Sequence, residues 1–261
     1  MKVYTGGLTG VINAMNVGLD AHAHTVTGST VTGVLYCVVG TANTANTTNM
    51  CNTSLADPGP EPMPVSDDQI TSWKADAEAG GTISGNYTVS TTTATLGPKK
   101  ITGNLTLQNN KILTITGTLW VEGNIDMGNG SQIVLASSYG GAGGLVIVDG
   151  TTNIQNNAVF AGSGQTGSYV MVVSTSDCPQ SPLCFAAPAI QLSNNAGAVI
   201  LNAQRGTVSF SNNGQANSAS AYQILLNNNA QVIYDNGLKN AYFSSGPSGG
   251  GYSYASWKEV E

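Results

Sequence analysis

The chain has 261 residues, of which 41% are hydrophobic and only 8% charged, with a net charge of −6. Disorder calls for low hydrophobicity and high net charge, so this composition excludes a disordered tail and leaves room for a sizeable core. The acidic balance excludes a nucleic-acid partner, which needs a basic face, and an anionic membrane surface, and no run reaches the ~20 apolar residues that cross a bilayer.

Residues 1–36 read as N-terminal β-rich coils. Val11, Val17, Val26, Val31 and Leu35 punctuate Gly, Thr and Asn steps. Such short, irregular steps fit solenoid turns better than hairpins, which favour two-residue Asn-Gly or Asp-Gly turns. Met1-Lys2 runs straight into Val3-Tyr4-Thr5-Gly6-Gly7 without the apolar segment of a signal peptide, so export calls for a targeting segment cleaved from, or lying upstream of, these residues. Within the block, Asp20-Ala21-His22-Ala23-His24 is the one metal-ligating pattern. In a strand Asp20, His22 and His24 share a face, and imidazole with carboxylate suits a transition metal. No further ligand beyond these lies nearby in sequence, and two surface histidines are the competing reading. No cofactor is expected.

Residues 37–65 read as a loop. A polar run lies between Cys37 and Cys51, and the cluster Ala56-Asp57-Pro58-Gly59-Pro60-Glu61-Pro62-Met63-Pro64 follows. It resists both helix and sheet and marks the best domain boundary. The 4 cysteines fall into two local pairs, Cys37 with Cys51 and Cys178 with Cys184. Sequence alone leaves three connectivities open. Local pairing is the expectation, because each pair brackets a polar loop, and the spacing does not suit zinc. Paired cysteines beside few lysines point to an oxidising, extracellular setting; four reduced buried thiols are the alternative.

Residues 66–81 predict the one good helix. Ser66 with Gln69 forms a capping box, and Asp67 and Asp68 suit the positive helix start. Ile70, Trp73 and Ala77 form a single apolar stripe, and Gly80-Gly81 ends it. The helix is expected to cap or flank a β structure, with Trp73 as its anchor.

Residues 82–261 predict the main body. An apolar residue, a spacer and a two-residue corner recur six times, beginning at Leu107, Met127, Ile154, Leu192, Phe210 and Leu226, at intervals of 20, 27, 38, 18 and 16. The interval of 27 contains the Ser137–Gly144 insertion, and that of 38 contains the Cys178–Cys184 loop. A repeat this short cannot bury its own apolar face and must stack on copies of itself. Asn tolerates the left-handed conformation of a tight corner, and stacked amides can bond to one another. Asn109, Asn129, Asn156, Asn194, Asn212 and Asn228 are therefore predicted to form a ladder. The fold class is all-β: a right-handed parallel β-helix, or β-solenoid, with one amphipathic α-helix packed on it. A β-sandwich is the runner-up. Tyr252, Tyr254 and Trp257 are expected to cap the far end or to line a sugar site.

Chemistry is sparse. Glu122, Asp126, Asp149, Asp177 and Asp235 are scattered through the body, and Arg205 is the sole arginine. A catalytic carboxylate pair must face across ~5–9 Å, and no such cluster is evident. The Gly140–Gly144 run lacks the Lys-Ser/Thr of a phosphate loop. Ser245-Gly246-Pro247-Ser248-Gly249 reads as a turn, with no histidine downstream. Thr25, Thr27, Thr30 and Thr32, and Thr88, Thr91, Thr92, Thr93 and Thr95, suggest a flat ice-binding face. The phrasing after the helix also mildly resembles helix-flanked ice-binding β-helices. Thr is equally an ordinary strand-surface residue.

The layout as a whole resembles bacterial surface proteins related to PilX-like, type IV pilus-associated proteins. The resemblance rests on Val3-Tyr4-Thr5-Gly6-Gly7, Gly18-Leu19-Asp20-Ala21, Ser29-Thr30-Val31-Thr32-Gly33, Pro60-Glu61-Pro62-Met63-Pro64, Trp73-Lys74, Leu96-Gly97-Pro98-Lys99-Lys100-Ile101, the Asn-Asn corners and Trp257-Lys258-Glu259. It implies an extracellular β-helical domain, normally carried behind a pilin-like helix, and it brings no catalytic residues. The expected function is thus a non-enzymatic structural or adhesive module at the cell surface. Its expected partners are pilus or surface-protein subunits, a surface glycan, or further copies of itself. A glycan-binding module or a polysaccharide-active β-helix enzyme is the alternative, with an ice-binding protein behind both.

Overall fold

A computed structural model describes residues 3–4, 11–13, 15–45, 50–51, 64–178, 187–233, 238, 242–244 and 251–253. The chain divides into two compact units, Met1–Pro62 and Met63–Glu261, with the break inside the proline cluster.

The smaller unit is a parallel solenoid with a short turn. Val11, Thr25 and Val39 lie side by side on successive turns, as do Val17, Val31 and Ala45. These registers advance by 14 residues. What reads in sequence as irregular steps is a regular 14-residue coil. The strand Leu35–Thr41 runs through Cys37, and Thr44–Ala45 and Met50–Cys51 continue the stack. The coils therefore reach Cys51 rather than stopping at residue 36. Small or branched side chains fill the thin interior: Ile12, Val17, Ala21, Ala23, Val26, Val31, Leu35 and Cys37 are all buried. Polar side chains pin the corners across turns. Asp20 Oδ1 accepts from the Val34 N–H (2.8 Å), and Asn43 Oδ1 accepts from the Ser29 N–H (3.0 Å). Cys37 and Cys51 are register partners and are disulfide-bonded.

The larger unit has three strands per turn, and each strand pairs in parallel with the one three places on. The first stack begins with Tyr87–Val89, Leu105–Leu107, Ile125–Met127, Thr152–Gln155 and Ile190–Ser193. The second begins with Thr93–Leu96, Ile112–Ile115, Gln132–Leu135 and Val159–Ala161. The third begins with Thr82–Ile83, Lys99–Ile101, Leu119–Val121, Gly144–Val148 and Val170–Ser174. The long strands Gly197–Phe210 and Gln215–Leu226 then run through all three faces. Leu107 pairs with Met127, Met127 with Ile154, Ile154 with Leu192, Leu192 with Phe210, and Phe210 with Leu226. Every interval expected from the repeats is thus a register between adjacent coils, and the parallel pairing excludes the sandwich. The inward rows form one continuous core in which most members, among them Leu105, Leu119, Ile125 and Ile133, are wholly buried.

Asparagine forms the corners as expected, in two styles. Asn156, Asn194, Asn212 and Asn228 are left-handed, with φ between 48° and 55°. Their amides form a ladder: Asn194 donates to Asn156 (3.0 Å), Asn212 to Asn194 (3.1 Å) and Asn228 to Asn212 (3.1 Å). The earlier corners are tighter. Only their second residue is left-handed, Asn110 (φ 58°) or Gly130 (φ 63°), and Asn109 Oδ1 accepts from the backbone N–H of Asn129 (2.9 Å). The six positions align in register, but side-chain-to-side-chain bonds join only the last four.

The helix, α1, spans Asp67–Ala79, with Ser66 as N-cap and both bonds of the capping box present. It flanks the coils and lies against the third stack. Ile70 and Trp73 pack on the outward side chains Leu145, Ile147, Met171 and Val173. Strands Gly144–Val148 and Val170–Ser174 are therefore buried on both faces, which accounts for their unbroken apolar sequence. Phe243 joins the same outer cluster, and Gly143 pairs with it. A Cβ on Gly143 would stand 2.7 Å from the Phe243 ring, so part of the glycine run is a slot for that ring. The strand Tyr242–Ser244, paired antiparallel with Gly251–Ser253, therefore docks along the side of the coils. Tyr254 and Trp257 lie outside the described residues.

Candidate functional site

Polar side chains from distant parts of the larger unit meet where α1 crosses the third stack. Trp120 is central. Its Nε1–H donates to Asp149 Oδ2 (2.9 Å). Its ring has the Lys100 ammonium 4.0 Å from its centroid and the Lys74 ammonium at 5.0 Å, a cation–π arrangement. Asp149 Oδ1 also accepts from Lys74 (2.5 Å) and from the Thr175 hydroxyl (2.6 Å). Lys100 pairs with Glu122 (3.0 Å) and Glu78 (3.1 Å). Hydrogen bonds to Glu122 first and Glu78 second hold the Lys100 amine above its ordinary value. Beside this network a cleft of about 280 Å³ opens between Ile70, Thr71 and Lys74 of α1 and Ser174, Thr175, Gln204 and Arg205 of the coils. At its rim Arg205 pairs with Asp67 (2.8 Å).

Each cation here already faces a carboxylate of the same chain, and each carboxylate named is engaged by a donor. The arrangement fastens helix to sheet. Its side chains come from α1, the third-stack strands and the residues just after them, brought together because equivalent points on successive coils stack vertically. Sequence reading named Glu122, Asp149 and Arg205 but saw no relation among them. It missed Lys74, Lys100, Trp120 and Thr175, and no local motif marks them. Asp126 and Asp177 are exposed, Asp177 following Thr175 by two residues, and Asp235 lies outside the described residues.

In the smaller unit, His22 and His24 are half-buried and alternate with buried Ala21 and Ala23, so they share the outward side of their strand. His22 stacks on Tyr36 of the next coil, with centroids 4.4 Å apart. Asp20 is at the corner, bonded to the Val34 N–H. Among the described residues no group of three or more His, Cys, Asp or Glu converges on a metal-sized site. Cys178 is buried, and its expected partner Cys184 lies outside the described residues. The threonines do not stack into uniform rows: Thr25 lies between Val11 and Val39, and Thr106, next to Thr88, is followed by Asp126 and Asn153.

A second corner ladder went unread in sequence. Asn86 Oδ1 accepts from the Asn104 N–H, Asn104 Oδ1 from the Asn124 N–H, and Asn124 Oδ1 from the Thr151 N–H, at 2.8–2.9 Å. The signal is the recurring pair Gly85-Asn86, Gly103-Asn104, Gly123-Asn124 and Gly150-Thr151. The glycine is required because the coils approach closely there; a Cβ on Gly123 would lie 2.7 Å from the Gly103 backbone.

No protein-family model, no curated protein and no solved structure matches this chain.

Proposed function

We propose that this chain is a non-enzymatic, exported structural or adhesive module, displayed at the cell surface as part of a pilus-like assembly. The observation that carries this reading is the disulfide between Cys37 and Cys51, set between in-register strands of adjacent coils. Such a bond persists in oxidising compartments and is rare in reducing ones. Support comes also from the stacked amide corners, which present uncharged hydrogen-bonding groups at a regular spacing, and from polar outward rows. The partner is a surface-protein subunit or a glycan.

The test is surface labelling of intact cells with an antibody to the chain, paired with thiol alkylation of the recovered protein. Surface signal with Cys37 and Cys51 protected from alkylation is expected. A chain confined to the cytosol with both thiols alkylated overturns the reading, and turnover of any polysaccharide overturns its non-enzymatic part. The glycan-binding alternative draws on the outward His22–Tyr36 ring stack, since aromatic faces pack on sugar rings. It predicts glycan-array signal that falls in Tyr36→Ala.

A further inference from the structure

Among the described residues, the core of the larger unit is enclosed by stacked coils along its length and less fully covered at its two ends. One inward row runs Tyr87, Leu105, Ile125 at the start and Ile190, Val208, Ile224 at the finish. Leu105 and Val208 are wholly buried, whereas Ile224 is 40% exposed and Tyr87 is only partly covered. The backbone is open at the same places. Strand Gln215–Leu226 pairs with Gly197–Phe210 on one side, and on the other, among the described residues, Gln231–Val232 pairs only with Gln215 and Ala216. At the opposite end, Tyr87–Val89 and Thr93–Leu96 each have a neighbour on one side only among the described residues. Proteins ordinarily guard such edges with Lys, Pro or a bulge. Here residues 80–97 and 206–234 contain no charged side chain and no proline, although the chain as a whole carries a net charge of −6.

We infer that these two ends are the halves of one interface, and that the last coil of one copy stacks on the first coil of a second copy of this chain. Two observations select a second copy. The strands left unpaired on one side are the two ends of the same ladders, so Ile224 meeting the partly covered Tyr87 of the second copy extends a row the chain already builds internally, in a register that sets Leu226 beside the buried Val89. Both ends are also free of the charge that would repel a like partner. Because the two surfaces differ, the contact is heterologous and open-ended, giving linear chains rather than closed dimers. This goes beyond the structural or adhesive reading and stands whether or not a glycan or pilus partner exists.

The test is sedimentation velocity of the full chain over a concentration series. Mass is expected to rise with concentration through a series of multiples. Ile224→Lys and Tyr87→Glu, each shown by far-UV circular dichroism to keep the β fold, should each sediment as single chains. Their mixture should reassociate, because the introduced ammonium and carboxylate then face each other. A second pair, Leu225→Cys and Thr88→Cys on separate chains, occupies exposed positions and tolerates folding effects; oxidation should join the two chains. A wild-type chain that remains single up to its solubility limit overturns the inference, as would occur if its own C-terminal residues cover the last coil. Loss of association in Ile224→Lys but not in Tyr87→Glu also overturns it, since that pattern belongs to a tail-to-tail dimer. Wild-type association without the Leu225/Thr88 cross-link rejects the register.

Discussion

Asn194 carries two separable contributions to a corner, and two substitutions divide them. The residue sits at φ 55°, donates to Asn156 at 3.0 Å and accepts from Asn212 at 3.1 Å. Asn194→Gly keeps the left-handed backbone and removes both bonds; at about 0.5–1 kcal/mol each in a partly exposed corner, the loss is about 1–2 kcal/mol. Asn194→Ala removes the same bonds but, unlike glycine, keeps a β-carbon in the left-handed region without the local side-chain hydrogen bonding by which asparagine tolerates it, adding about 1 kcal/mol. Alanine should therefore be the worse of the two by about 1 kcal/mol. Asn129 is the control: it lies at the aligned position but is exposed and is not left-handed, so Asn129→Ala should stay within about 0.5 kcal/mol of the parent. Guanidinium unfolding at unchanged slope reads all three. If alanine equals or surpasses glycine at Asn194, the corner's conformational requirement is not what selects asparagine.

Trp73→Ala empties the centre of the helix–sheet cluster and should cost about 3–5 kcal/mol, measured as a fall in melting temperature; a loss under about 1 kcal/mol would mean α1 is not anchored there. Asp149→Ala removes the shared acceptor of Lys74, Trp120 and Thr175 and should cost about 1–3 kcal/mol, with a shift in Trp fluorescence that an unchanged spectrum would contradict. Cys37→Ser with Cys51→Ser opens a loop of 14 residues, worth about 3 kcal/mol, and should expose residues 1–62 to limited proteolysis before the larger unit. Burial pushes the Tyr139 hydroxyl up to about 12, and it has no hydrogen-bond partner among the described residues. An unfolded tyrosine ionises near pH 10, so the unfolded state is favoured as pH rises from about 10 to 12, by at most about 2–3 kcal/mol. Lys100, also raised, loses its pairing in the same direction. Tyr139→Phe should remove the tyrosine share of this alkaline loss and leave stability at pH 7 equal or higher; an unchanged alkaline limb refutes the assignment.

The larger coil was readable because its corners repeat a dipeptide that only a few residue types can supply. Asn-Asn recurs wherever two consecutive left-handed residues are needed, so the chain marks its own period even across the insertions after Leu135 and Ser174. The 14-residue coil left no such mark. Its equivalent corners use Gly28-Ser29 and Ala42-Asn43, with different side chains meeting the same backbone demand. The helix was legible to within two residues at either end, because a capping box and an apolar stripe are local. The network around Trp120 was not, because Lys74, Trp120, Asp149 and Thr175 become neighbours only once three coils are stacked and one face is turned towards α1. The docking of Phe243 was not legible either, because it depends on Gly143, whose missing side chain leaves room for that ring at the flank.

The bond between Cys37 and Cys51 has a mechanical side. A solenoid pulled from its terminus can unwind one turn at a time, each turn giving up its length separately. Here the peeling front meets a covalent rung. Residues between the two cysteines stay folded back on themselves, and the tether is shorter by about 45 Å of extended chain than an uncrosslinked turn would allow. Tension then passes from strand to strand through sulfur and leaves that part of the backbone slack.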